Sequence, residues 1–194
     1  IAKFDPTNQS IDWVTYIGNG GSQNYSQTIA VDSQDNFYVG GSIGGSLAHL
    51  GAISDEGRGF VAKLNSNGEL QWITKTGYGN SSTDVMGLAV DNNNYLYAAI
   101  HSSGASVNGV EQIGDRDIYV TKYNTDGTVI WTKSLGGLGT DSVRDLKISG
   151  NHIYIVGSAD GDIGDQYNQG EEDFLVAKFD LDGNKIWHKL LGTE

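Results

Sequence analysis

The sequence predicts an all-β protein built from short antiparallel strands, and three observations support this prediction. Its 194 residues include 28 glycines but only one proline, with many Asn and Asp residues, which is a composition that suits numerous tight turns. No apolar pattern with a helical period continues for more than about ten residues. Finally, one hairpin-like segment recurs four times along the chain, which indicates a repeat array.

The recurring hairpin is clearest at its lysine and its tryptophan. The segments "AKFDPTNQSIDWVTYIG" at the start and "AKFDLDGNKIWHKLLG" near the end share one pattern. Alignment of the four copies brings three sets of residues into register, namely Lys3, Lys63, Lys122 and Lys178; Trp13, Trp72, Trp131 and Trp187; and Gly18, Gly77, Gly136 and Gly192. The repeat therefore has periods of 60, 59 and 56 residues, and we expect its tryptophans to be packing residues rather than catalytic ones.

A second hairpin lies between consecutive copies of the first and carries a tyrosine at a fixed position, Tyr38, Tyr97 or Tyr154. The two hairpins predict four antiparallel strands per repeat, which we label A to D. A single four-stranded meander cannot bury its apolar faces, whereas radial stacking of such sheets in a β-propeller does. The predicted fold is a β-propeller of four-stranded antiparallel blades, of which about three and a half are present. One domain is expected, with a half blade at 1–27 and full blades at 28–84, 85–142 and 143–194.

The predicted strand order does not close a ring. Both ends of the chain are C–D hairpins, whereas closure requires strands from the two ends to complement each other in one sheet. We therefore expect an incomplete part of a larger propeller, completed by further blades from the same longer chain or from another chain. Ile1 stands within a strand pattern in place of an initiating Met, as expected of a processed chain or an excised piece.

The connections B–C and D–A lie at one end of the strands, and they are longer than the A–B and C–D turns at the other end. This long-loop face holds eleven acidic residues against two arginines, so it accounts for nine of the twelve net negative charges. Because loops on a rigid scaffold often carry recognition, the candidate ligand-binding residues are Asp55, Glu56, Asp84, Glu111, Asp115 and Asp141. The net charge of −12 opposes contact with a phosphate backbone, so no nucleic-acid partner is expected.

The densest acidic segment of this face is "ADGDIGDQYNQGEED" from Ala159. Calcium takes several carboxylate and carbonyl oxygens, which makes this segment a candidate calcium site with the ligands Asp160, Asp162, Asp165, Glu171 and Glu172. The spacing does not match a twelve-residue calcium-binding loop. The alternative is a solvated acidic loop that aids solubility, and no other cofactor is expected.

No pattern of catalytic residues stands out. The chain has no cysteine and four histidines without a metal-ligand spacing. No serine lies in a nucleophile elbow, and no glycine-rich loop is placed to hold a phosphate. No apolar run is long enough to span a bilayer, which takes about 20 residues. We therefore expect a non-catalytic protein without a membrane span.

The run "GDRDIYVTKYNTDGTVIWTKSLGGLGTDSVRDLKISGNHIYIVGSADG" resembles the bacterial β-propeller repeats called SBBP. The matching residues in this run are Asp117, Val120, Lys122, Gly127, Trp131, Gly136, Gly137, Asp141, Asn151, Tyr154 and Gly157. A second match comprises Asp173, Val176, Lys178, Gly183, Trp187 and Gly192. The resemblance implies a secreted or surface-attached bacterial protein, and it supplies no catalytic residues. A second resemblance, of "AKFDLDGNKIW" to the blades of quinoprotein-type propellers, implies a tryptophan that docks between blades.

The expected function is that of a non-catalytic binding or adhesion module, extracellular or on the cell surface. It would recognise a protein or a glycan through the acidic long-loop face. Two alternatives remain open at this point. One is half of a propeller enzyme, either a quinoprotein-like dehydrogenase or a glycan-acting hydrolase. The other is an architectural spacer or filament subunit that assembles through open blade edges.

Overall fold

A computed structural model describes residues 1–18, 23–52, 57–79 and 81–193, and within them the all-β prediction is confirmed. The strands are β1 (Ala2–Asp5), β2 (Ser10–Val14), β3 (Asn24–Val31), β4 (Phe37–Ile43), β5 (Gly59–Leu64), β6 (Leu70–Thr76), β7 (Thr83–Val90), β8 (Leu96–Ser102), β9 (Ser106–Val107), β10 (Val110–Glu111), β11 (Asp117–Tyr123), β12 (Val129–Leu135), β13 (Asp141–Ser149), β14 (His152–Ala159), β15 (Asp173–Asp180) and β16 (Lys185–Leu191). A 3-10 turn covers Ala48–Leu50. Within the described ranges, no helix is long and apolar enough to cross a membrane.

The strands form the four-stranded antiparallel meanders that the repeat predicts. Sheet I consists of β3 to β6, sheet II of β7, β8, β11 and β12, and sheet III of β13 to β16, while β1 and β2 form a two-stranded half sheet. In each full sheet the first strand begins at Asn24, Thr83 or Asp141, a few residues before the predicted blade starts at 28, 85 and 143. Among the described residues, the half sheet pairs with no strand of sheet III. The ring is open, which is compatible with an incomplete propeller.

Short polar turns close the hairpins at the end of the strands opposite the long loops. Asp32 accepts backbone N–H hydrogen bonds from Gln34 and Asn36, both at 2.9 Å. Asp180 does the same in the turn "DLDGN", where Asp182 and Asn184 donate at 3.0 and 2.8 Å. Gly183 completes that turn with a φ of 84°, a value that glycine adopts without strain. These carboxylates therefore have a turn role.

The sheets stack face to face and bury three successive apolar cores. Strand β7 packs against β3 of sheet I on one side and against β13 of sheet III on the other, so strand A is the innermost strand of each sheet. The core between sheets I and II contains Tyr38, Val61, Val85, Leu88 and Tyr119 among others. The core between sheets II and III contains Tyr97, Ile118, Val120, Leu146 and Ile155 among others. The third core lies in sheet I beneath the half sheet and includes Val39, Phe60, Leu64 and Ile73.

The repeated tryptophans link neighbouring sheets. The indole Nε1 of Trp13 donates to the carbonyl oxygen of Ser66 at 3.2 Å, and that of Trp72 donates to the carbonyl oxygen of Thr125 at 3.1 Å. Each acceptor lies in the C–D turn of the following sheet. The predicted packing role of the tryptophans is thus confirmed at these two junctions.

Candidate functional site

The long-loop face carries an open groove beside sheet II. Its lining residues come from the D–A connection before β7 and from the B–C connection that includes the small hairpin β9–β10; they are Tyr78, Ser103, Ala105, Ser106, Gly109, Glu111, Gln112, Gly114 and Asp115. Tyr78 presents an aromatic ring that is 60% exposed. The groove therefore combines one exposed ring with hydroxyl, amide and carboxylate groups.

Backbone and side-chain hydrogen bonds hold the long B–C connection in place under this groove. The backbone N–H of Gln112 donates to the carbonyl of Ala105 at 3.0 Å, and its side-chain amide donates to the carbonyl of Gly114 at 2.6 Å. The backbone N–H of Ile113 donates to the buried carboxylate of Asp117. The N–H of Asp115 bonds to the carbonyl of Gly139 in the next connection, at 3.0 Å. The groove wall is thus anchored to both sheet II and the connection into sheet III.

The structure describes four of the six predicted ligand-binding residues, and these four lie in three different environments. Glu111 and Asp115 are exposed and line the groove. Asp84 lines a separate cavity between sheets I and II. Asp141 is fully buried, which corrects its prediction as a surface residue: it begins β13 and its side chain lies inside the junction between sheets. Asp55 and Glu56 lie outside the described residues.

The cavity at the first inter-sheet junction is polar; it is lined by Tyr25, Gln27, Ser42, Arg58, Ser82, Thr83 and Asp84. Asp84 faces His101 across the β7–β8 pair, with 3.7 Å between Oδ2 and the imidazole Nε2. His101 and then Ser42 hold the pKa of Asp84 at about 2, against the opposing effect of burial. The carboxylate thus lies between the serine and the histidine. A serine nucleophile requires the histidine next to the serine, so this trio does not have the order of a catalytic triad.

Two buried carboxylates meet at the second inter-sheet junction. Asp117 and Asp141 are both fully buried, and both lie against Gly136. Asp141 accepts a hydrogen bond from the backbone N–H of Gly137 at 2.7 Å. Burial, followed by the charges of Asp117 and Asp160, raises the pKa of Asp141 to about 6, although the bond from Gly137 opposes this rise. Burial also raises the pKa of Asp117.

The five acids of the predicted calcium site are spread over a loop rather than gathered at one point. Asp160 accepts the backbone N–H of Thr140, and Asp162 accepts that of Asn168 at 2.8 Å. Asp165 lies 4.0 Å from His188, and Glu171 and Glu172 flank a shallow opening near the end of β16. Within the described ranges, no three His, Asp or Glu side chains form a group that could hold a metal ion. Calcium binding by this loop stays a prediction without support from this geometry.

Sequence reasoning missed the uncharged residues of the groove. These residues lie in the long connections, where the repeat pattern drew attention to the acids alone; they are Tyr78, Ser103, Ser106 and Gln112. The available signal was an aromatic residue directly after the repeat glycine Gly77, in a connection predicted to be exposed. A large aromatic side chain in such a connection is a common anchor for ligands.

Residues 12–48 match the family model described as a β-propeller repeat, SBBP. The regulatory protein FlaEY of Caulobacter vibrioides is 31% identical over 106 residues, which are 51% of this chain and 11% of that protein. The chain thus spans a small part of the length of this curated relative.

Among solved structures, a protein of unknown function from Bacteroides caccae aligns with a TM-score of 0.46 and 9% sequence identity, over 96% of this chain and 67% of that chain. The stacked four-stranded sheets confirm the predicted blades. The repeat match at residues 12–48 confirms the predicted similarity to the SBBP-type β-propeller repeats.

Proposed function

We propose that the protein is a non-catalytic binding module, extracellular or on the cell surface, that recognises a glycan through the long-loop face. The observation that carries the proposal is the open groove in which the ring of Tyr78 stands beside Glu111, Gln112 and Asp115. Sugars present an apolar ring face and a rim of hydroxyl groups. An exposed aromatic ring with nearby amide and carboxylate groups can contact both.

The composition of the groove favours a glycan over a protein partner. Protein interfaces rely on clustered aromatic, aliphatic or arginine anchors in well-packed pockets. Among the described residues, the lining contains a single aromatic ring, and its other large side chains are Glu111, Gln112 and Asp115. Few apolar groups are therefore available to anchor a protein.

The charge of the face narrows the class of glycan. Apart from the phenol of Tyr78, the titratable groups in the described part of the lining are the carboxylates of Glu111 and Asp115. The whole chain has a net charge of −12. Like charges repel an incoming anion. Neutral sugars and amino sugars fit this groove better than sialylated or sulfated ones.

A glycan array followed by calorimetry on the bound glycan tests the proposal. We expect Tyr78→Ala to weaken binding by about tenfold or more, as for a central anchor residue. Glu111→Gln should weaken binding of an amino sugar more than that of a neutral sugar. Tyr167→Ala is the matched control, because Tyr167 is 73% exposed on the same face but outside the groove lining.

Two results would contradict the proposal. The first is an array without any bound glycan at pH 7 and moderate salt. The second is a glycan whose affinity is unchanged by Tyr78→Ala but lowered by Tyr167→Ala, since this would move the site to the loop of sheet III.

A further inference from the structure

Two buried carboxylates at the junction of sheets II and III have no counter-ion. Asp117 and Asp141 are both 0% exposed. Within the described part of the chain, no ion pair joins either of them to a lysine, an arginine or a histidine. A third carboxylate, that of Asp160, is close enough for its charge to raise the pKa of Asp141. Ionised carboxylates are costly to bury without a partner, so this pair calls for a compensating positive charge.

The two carboxylates meet beside Gly136. A Cβ atom at this glycine would lie 2.3 Å from Oδ1 of Asp117 and 2.9 Å from Oδ2 of Asp141, so both oxygens lie near one point. Calcium–oxygen bonds are about 2.3 to 2.6 Å long. A single calcium ion can therefore bridge carboxylates at this spacing.

Each carboxylate uses one oxygen to hold a connection and leaves the other oxygen without a donor. Oδ2 of Asp117 accepts the backbone N–H of Ile113, and Oδ2 of Asp141 accepts that of Gly137 at 2.7 Å. Among the described residues, neither Asp117 Oδ1 nor Asp141 Oδ1 has a hydrogen-bond partner. The unpartnered Oδ1 of Asp117 is also the oxygen that lies against Gly136, so it is directed toward the other carboxylate.

Main-chain carbonyls of the adjoining glycine-rich connection can add further ligands. The backbone N–H of Gly114 interacts with Asp117. A Cβ atom at Gly114 would lie 2.5 Å from the carbonyl oxygens of both Gly137 and Gly139. Calcium takes six to eight oxygens and accepts carboxylates, carbonyls and water together, whereas magnesium demands nearly regular octahedral geometry and keeps several waters. A buried site of carboxylates and carbonyls therefore favours calcium.

The junction of sheets I and II has the same backbone arrangement without the acidic pair. The matching positions there are Gly77, Arg58 and Thr83. A Cβ atom at Gly77 would lie 2.5 Å from the hydroxyl oxygen of Thr83, and that hydroxyl pairs with the hydroxyl of Ser102 at 2.7 Å. Neutral groups thus satisfy each other at the first junction. The repeat backbone itself does not require two buried carboxylates at the second.

We propose that Asp117 and Asp141 bind one calcium ion at the junction of sheets II and III. The ion would bridge the two carboxylates, with further ligands from carbonyl oxygens of the connection at 136–140 and from water. It would thereby link β11 of sheet II to β13 of sheet III. Leu138 in this connection is 83% exposed, so the segment that covers the pair borders solvent. The site uses none of the groove residues, so calcium binding is measured without a glycan and is independent of the proposed glycan binding.

Thermal unfolding in EDTA and in millimolar CaCl2 near neutral pH tests the site, and calorimetric titration with CaCl2 measures the stoichiometry. We expect calcium to raise the Tm of the native protein by about 5 °C and to bind with one ion per chain. Asp117→Asn and Asp141→Asn keep the shape of the side chain but remove one charge, so each should abolish most of the shift. In EDTA both variants should unfold at the same temperature as the native protein or at a higher one, which shows that they are folded.

Asp165→Asn is the matched control. It also removes one negative charge, and its side chain is 87% exposed in the loop that the sequence predicts to bind calcium. This variant should keep the full shift. NaCl at equal ionic strength separates calcium binding from general screening of the net charge of −12.

An equal calcium shift in the native protein and in both variants of the pair would overturn the proposal. A shift that Asp165→Asn abolishes would instead assign calcium to the loop of sheet III. Neither a shift nor a heat of binding at millimolar calcium would show that protons or water, rather than a cation, compensate the pair. Stabilisation by MgCl2 but not by CaCl2 would contradict the choice of calcium.

Discussion

The two inner junctions of the protein share one backbone arrangement but differ in charge. The junction of sheets I and II contains Thr83, the first residue of strand A of sheet II. Its hydroxyl forms a hydrogen bond of 2.7 Å with the hydroxyl of Ser102. At the junction of sheets II and III the same position is Asp141, and its cross-strand neighbour is Ala159, which has no side-chain donor. Within the described part of the chain, Asp141 Oδ1 has no hydrogen-bond partner.

This difference shows that a repeat can keep its register while its buried polar groups change. A neutral hydroxyl pair is satisfied at any pH, whereas a buried carboxylate without a donor for one oxygen favours its protonated form. Asp117 adds a second buried carboxylate to the junction of sheets II and III. At the junction of sheets I and II, the same repeat position is occupied by Arg58 instead. The stability of the two junctions should therefore respond differently to pH.

The largest expected effect comes from adding a methyl group at each junction. A side chain at Gly87 would lie 2.5 Å from the backbone nitrogen of Leu146, whereas one at Gly40 would lie 2.6 Å from the terminal Cγ1 of Val85. Backbone yields less readily than a side chain, so Gly87→Ala should cost about 3 kcal/mol and Gly40→Ala about 1 kcal/mol. Urea unfolding of both variants measures the difference, and equal losses would show that neither junction is more rigid.

The next effect is the pH dependence of the junction between sheets II and III. The pKa of Asp141 is about 6 when folded, above its ordinary value of 3.8. A carboxyl with a raised folded pKa stabilises the protein in its protonated form, and this contribution is lost as pH rises from about 4 through about 6. In urea unfolding at pH 8, Asp141→Asn should therefore have a free energy of unfolding about 3 kcal/mol higher than that of the native protein, with no difference near pH 4. A native protein that is more stable than the variant at pH 8 would contradict this account.

Asp84 at the junction of sheets I and II should show the opposite sign. Its folded pKa of about 2 lies below its ordinary value of 3.8. The stabilisation is therefore present above pH 4 and is lost as pH falls from about 4 to about 2. Asp84→Asn should lose about 1 kcal/mol at pH 7, a value reduced because the side chain is 20% exposed. Parallel urea series at pH 7 and pH 2.5 measure it, and a gain in stability at pH 7 would be inconsistent with the pairing to His101.

The smallest expected effect comes from making the second junction resemble the first. Ala159→Ser places a hydroxyl where Ser102 stands in sheet II. Donation from this hydroxyl to Asp141 Oδ1 should stabilise the protein at pH 8 by about 0.5 to 1 kcal/mol and should lower the pKa of Asp141. The same substitution in the Asp141→Asn background is the control, and an equal gain there would show that the carboxylate is not involved.

The sequence alone was sufficient to predict the blades, because the repeated Lys, Trp and Tyr positions mark strands of fixed register. It could not show that Asp141 is buried, since its position in a glycine-rich connection reads as a loop until strand A is seen to begin there. It also could not pair Thr83 with Ser102 or Asp141 with Ala159, because cross-strand neighbours depend on the bulge within strand A. The groove around Tyr78 was missed because its lining comes from connections whose course the repeat does not determine.

Hydrogen–deuterium exchange with and without a glycan identified on the array tests the proposed function most directly. We predict slower exchange on binding in the segments that contain Tyr78 and residues 103–115, with no change in residues 159–172. Protection confined to residues 159–172, or no protection anywhere on the long-loop face, would contradict it.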